Sequence, residues 1–135
     1  MILDFEETFI IGQDNFFQSV SPTSSFGVTF EDNLTTGYFY AVDTKPGLEI
    51  LDALHIYNVD DVVDKDKPCK LQIAWSNNGL IASLLINNYC HAIFDFDNKA
   101  GYCRNGFPEN SGEWIKIKER VLTDSLINEI FKYNK

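Results

Sequence analysis

A mainly β fold, an α+β arrangement in which one antiparallel sheet of about seven or eight strands carries a single C-terminal helix, is the architecture the sequence predicts. Three observations lead there. Apolar and aromatic residues alternate with small or polar ones over short runs, the period of a half-buried strand. The runs are separated by stretches rich in Asn, Asp, Thr and Gly, which accept the positive φ angles of tight turns. Only near the C-terminus does the apolar spacing change to i, i+4, the period of a helix face. A length of 135 residues predicts one domain over 1–135. With 44% hydrophobic and 14% aromatic residues, the chain can bury a core without a metal or a disulfide.

The elements follow in order. Phe26, Val28 and Phe30 alternate with small or polar neighbours, as do Tyr38, Tyr40 and Val42, and the stretch Glu31 to Thr36 between them reads as the turn of a hairpin. Over residues 48–59 two periods compete: Leu48, Leu51 and Leu54 have helical spacing, whereas Ala53, His55, Tyr57 and Val59 alternate. Ile56, Tyr57 and Val59 favour extended backbone, so a strand is expected from about residue 51. Asp60 to Pro68 is a charged loop. Leu71–Ser76, Leu80–Ile86 and Tyr89–Phe96, joined through Asn77-Asn78-Gly79 and Asn87-Asn88, form a three-stranded meander. With two-residue loops Trp75 faces Ala82, Ile73 faces Leu84, and Leu84 faces His91. His91, Ile93 and Asp95 then share a face with Trp75. Both faces are apolar enough to be covered, at least in part. Glu113 to Lys118 alternates again, with Ile115 and Ile117 inward. A helix over about 123–133 closes the chain: Thr123 caps it, Asp124 suits its positive end, and Leu126, Ile127, Ile130 and Phe131 form its apolar face. Leu122 can staple to Ile127 across the cap.

Charge narrows the function classes. The net charge is −9, and residues 1–66 carry 13 acidic and two basic residues. Phosphate backbones and anionic lipid both require a positive surface, so neither nucleic acid nor membrane is an expected partner. An acidic face instead suits a basic protein partner, whose approach it steers. Cys69, Cys90 and Cys103 are an odd set without a Cys-x-x-Cys pair, as expected of reduced thiols. The acidic N-terminus does not resemble a signal peptide. These features together predict a cytoplasmic protein.

Few constellations point to chemistry. His55 and His91 are the two histidines, and either could act as a general base in a hydrolase-like enzyme. Asp52 lies near His55 in sequence. Asp95 stands four residues beyond His91 on the same strand, about 13 Å away, too far for a dyad. Cys90 and His91 point to opposite faces and cannot easily share an ion, and the run Asp95 to Gly101 lacks the ligands of a calcium loop. No metal and no cofactor is expected. Most aromatics, Trp75 among them, read as core or cross-strand pairs. Tyr102 to Pro108 sets aromatics beside Arg104 in a turn-rich segment, either tied to Asp95 or Asp97 or serving as an anchor for a partner.

Thr36–Ala41, Ile50–Tyr57, Ala74–Ser76, His91–Phe96 and Gly101–Pro108 resemble a small bacterial family, domain-of-unknown-function family 2251. The resemblance spans roughly residues 24–118. It implies a bacterial protein and brings no activity, so no catalytic residue is carried over. It directs attention to Asp52, His55, Trp75, His91, Asp95, Cys103 and Arg104, and above all to the pairs Asp52 with His55 and Arg104 with Asp95. With Tyr102, these residues other than Cys103 are the candidate ligand or partner contacts. Three functions follow from the residues: a non-catalytic acidic interaction domain, such as an immunity-type protein against a basic toxin; a small-ligand-binding β domain; and an enzyme using His55 or His91.

Overall fold

The computed structural model describes residues 2–108, 114 and 120–133. In chain order the strands are β1 (Ile2–Phe9), β2 (Asn15–Val20), β3 (Phe26–Asp32), β4 (Thr36–Asp43), β5 (Glu49–Asn58), β6 (Cys69–Trp75), β7 (Ile81–Ile86), β8 (Tyr89–Asp95) and β9 (Ala100–Cys103), followed by the helix α1 (Asp124–Tyr133). The expected antiparallel β fold with one C-terminal helix is present. Its strands divide between two sheets, ordered β1-β6-β7-β8-β9 and β2-β3-β4-β5. The reason is burial: each sheet has one strongly apolar face, and the two faces cover each other. Phe9 meets Phe30 at 5.6 Å and Phe39 stacks on Phe94 at 5.1 Å between ring centroids, joining the layers. Phe30, Phe39, Leu54, Leu71, Ile73, Trp75, Leu84 and Phe94 are fully buried there.

The meander shows how one residue redirects a strand. Trp75 faces Ala82 and Ile73 faces Leu84 as expected. Leu84, however, pairs with Ala92 and Leu85 with Cys90, so His91 is skipped. His91 occupies a β-bulge, where the extra residue exchanges the faces of everything beyond it. Ala92, Phe94 and Phe96 therefore point into the inter-sheet core, while Ile93 turns outward to Ile81, Cys90 and the helix. The expectation that Ile93 and Asp95 share Trp75's face is corrected by this bulge, whereas His91 stays on that side, beside Cys69 and Ile86. A second correction concerns β4. Phe39 and Ala41 face the core, and Tyr38 and Tyr40 are half-buried on the other side. Both parities of this strand are apolar, and phenylalanine, having no hydroxyl to satisfy, takes the dry side.

The helix covers the outer face of the five-stranded sheet. Thr123 Oγ1 accepts the Leu126 amide at 3.1 Å, closing the cap. Leu122 and Ile127 sit in one buried cluster with Ile81, Cys90 and Ile93, and Leu126, Ile130 and Phe131 pack against it. The strand expected over 113–118 lies outside the described residues except for Trp114, which is buried with its ring edge-on to Phe94 and Phe96.

The two sheets meet along two seams. At the first, the Trp75 indole N–H donates to Ser19 Oγ at 2.9 Å, and Ser19 in turn donates to Asp4 at 2.5 Å. At the second, the His55 amide donates to the Phe107 carbonyl at 2.8 Å. The two ends of the molecule differ as well. At one, Ser21 and Thr23 donate to the carbonyls of Gly79 and Asn78 and tie the loops of opposite sheets together. At the other, the β5–β6 loop stands over a cleft.

Candidate functional site

Among the described residues, no helix lies on the outer face of the four-stranded sheet. Strand alternation sends every second side chain of β2–β5 outward, and the register aligns them. Phe16 lies opposite Glu31, Glu31 opposite Tyr38, and Tyr38 opposite His55, one row across four strands. Tyr38 stacks on Tyr40 at 5.9 Å and meets the His55 ring edge at 5.4 Å; His55 meets Phe107 at 5.9 Å. Phe16, Ile50 and Phe107 are each more than half exposed. Glu31 sits within this aromatic surface, and the Tyr40 hydroxyl is shifted above its ordinary pKa by burial and then by the Glu31 and Tyr38 charges.

His55 is held by two side-chain amides. Asn105 Nδ2 donates to its Nδ1 at 2.6 Å, and its Nε2 donates to Asn58 Oδ1 at 3.0 Å. Both ring nitrogens are thereby occupied. Asp52 does not join it, because the two side chains leave β5 on opposite faces. Asp52 instead accepts a hydrogen bond from the Arg120 guanidinium in a pair buried on both sides. Arg120 also donates to the Gly101 carbonyl at 3.2 Å and the Pro108 carbonyl at 2.9 Å, bridging the β5–β9 seam. Gly101 is required here: a Cβ at that position would stand 2.6 Å from Asp52 Oδ2 and 2.9 Å from Arg120. Burial pushes the Asp52 carboxyl above its ordinary pKa, opposed by Arg120 and the Ala53 amide.

The pair Arg104 with Asp95 does not form either. Arg104 bonds the Cys90 carbonyl at 3.0 Å, reaches Asp124 at 3.0 Å and lies 4.3 Å above the Tyr89 ring. It clamps the start of α1 to β8. Asp95 accepts from the Asn98 backbone and side-chain amides and closes a turn. Tyr102 is half-buried beside the helix cluster. Trp75 is fully buried, stacked on Phe96. Cys69, Cys90 and Cys103 are free thiols, all buried. Burial pushes the Cys90 thiol up to about 11, away from a reactive thiolate.

His91 opens on the cleft at the untied end. Its ring meets the Tyr89 edge at 4.9 Å, so His91 and Arg104 share Tyr89 between them. Burial, reinforced by the Arg104 charge, pushes the imidazole down to about 4. The cleft has a volume of about 370 Å³ and also takes in Tyr57, Asp64, Lys67 and Asn87. The Tyr57 hydroxyl is already committed, donating to Asp32 at 2.6 Å. No group of three metal-ligating side chains occurs among the described residues. No helix among them is long and apolar enough to cross a membrane.

Sequence reasoning singled out seven residues, and the structure scatters them over the core, a seam, a turn, the helix clamp and two surfaces. It passed over Arg120 and the Glu31–Tyr38–Tyr40 row. One of only two arginines in an acidic chain was the available signal for the first. For the second, the two apolar parities of β4 were.

Residues 9–131 match a family described as an uncharacterized protein conserved in bacteria, DUF2251. An uncharacterized protein of Haemophilus influenzae is 47% identical over 85 residues, covering 62% of this chain and 53% of its own length. The chain thus spans about half the length of that curated relative. No solved structure matches.

Proposed function

We propose, on the premise that the chain belongs to the bacterial DUF2251 family of uncharacterised proteins, that it is a non-catalytic interaction domain whose four-stranded sheet receives a basic protein. One observation carries this reading: the Phe16–Glu31–Tyr38–His55 row lies on a sheet face that no described element covers. Its chemistry suits lysine and arginine. A cation placed over Tyr38 or Tyr40 gains from the ring quadrupole, and Glu31 supplies the charge partner beside it. Phe16, Ile50 and Phe107 offer apolar anchors around this polar centre. The 13 acidic residues within 1–66 add long-range attraction. An immunity-type role against a basic toxin is one form this reading takes.

The test is parallel capture from lysate of the source organism with the wild-type chain and with Glu31→Lys and Tyr40→Ala. The expected outcome is one basic protein retained by the wild type, lost at high salt and lost with either variant. Equal retention by all three chains would sink the reading.

A further inference from the structure

The cleft beside His91 is separate from the aromatic sheet face and has a chemistry of its own. We propose that it binds a small carboxylic acid with an apolar body. Its volume of about 370 Å³ falls within the range of small-ligand sites. One part of its wall is apolar, formed by Ile11, Val62, Val63 and Ile86. Val63 is 83% exposed at its mouth, an apolar side chain that gains by being covered.

The polar groups are mainly donors. Among the described residues the Lys67 ammonium is held only by Asp64 at 3.8 Å, and both side chains are mostly exposed. Such a pair contributes little and is readily exchanged for a better acceptor. Asn87 Oδ1 is occupied by the Lys70 amide at 3.0 Å, which leaves its amide nitrogen as the group to offer. The His91 ring makes no hydrogen bond among the described residues, and Arg104 lies behind it across Tyr89. An ammonium, an amide N–H and an imidazole N–H around one apolar pocket select an anionic acceptor over a neutral one. A carboxylate entering the cleft meets these donors while its chain lies against Val62, Val63 and Ile86.

The experiment is an NMR titration of the intact chain with octanoate and, separately, with octanol, following the His91 ring resonances. Octanoate should shift them saturably, and octanol should bind about tenfold more weakly, the difference one charge-assisted bond makes. Lys67→Gln should weaken octanoate about tenfold and leave octanol unchanged. Val63→Asp should weaken both. Lys67 and Val63 are exposed loop residues, so these variants leave the core intact. The proposal fails if octanoate gives no saturable shift, if octanol binds equally well, or if Lys67→Gln leaves octanoate affinity unchanged. Because the cleft's lining includes neither Glu31 nor Tyr40, none of these results bears on the basic-partner reading.

Discussion

His91 shows how one residue can set both packing and pH response. Its place in the bulge sends Phe94 inward and Ile93 to the helix, and its own ring ends half-buried beside a cation. The imidazole titrates near 4 in the folded chain against an ordinary 6.5. Between those values the unfolded chain binds more protons, so stability is fully present above about pH 6.5 and is lost as the pH falls toward 4. The loss across that window is roughly 3 kcal/mol at most. Urea unfolding at stepped pH values from 7.5 to 4 should show this slope, and His91→Gln should flatten it. An unchanged slope in the variant would place the acid sensitivity elsewhere. The sequence marked His91 as a residue to watch but not the bulge it occupies. A bulge has no signature in hydrophobic alternation, because its extra residue is invisible until the two strands are counted against each other.

Among the elements, β3 to β8 and the helix were legible; β1, β2 and β9 were not, nor were the contacts between elements. Alternation marked β3, β4 and the meander, and the cap at Thr123 marked the start of α1 to the residue, because these signals are local. The β5–β9 seam is not local: Arg120 reaches Asp52 across 68 residues. It nonetheless holds a charged pair, buried on both sides, that ties β5 to β9. Arg120→Met should cost about 3–5 kcal/mol in urea unfolding, because it leaves the Asp52 carboxylate buried and unpaired. Pairing it with Asp52→Leu should recover much of that loss, since two apolar groups replace the pair without an orphaned charge. A single variant as stable as the wild type would show that the seam does not depend on this pair.

For the whole molecule, charge is the property most directly read from sequence and the one with the broadest effect. Repulsion among the acidic residues of 1–66 opposes folding at low ionic strength. Adding salt from about 10 to 100 mM shortens the screening length from roughly 30 to 10 Å. The thermal midpoint should therefore rise with salt, although the same salt weakens capture of a basic partner. A falling midpoint would mean that favourable ion pairs outweigh the repulsion. That the strands form two layers was not legible. The break falls between β5 and β6, which do not pair, and β1 joins β6 rather than its neighbour β2; nothing within β1 names that partner. That pairing, running from Ile2 opposite Trp75 to Phe9 opposite Cys69, also governs how the chain assembles. While it is being synthesised, β2 to β5 can zip into a meander from neighbouring hairpins, each closing a short loop. Once made, β1 has to wait until some sixty more residues exist, and closing so long a loop is slow compared with hairpin formation. β1, with Ile2 and Leu3 exposed even in the folded chain, therefore waits longer for its partner than β2 to β5 wait for theirs, and there a nascent chain is open to a chaperone or to another copy of itself.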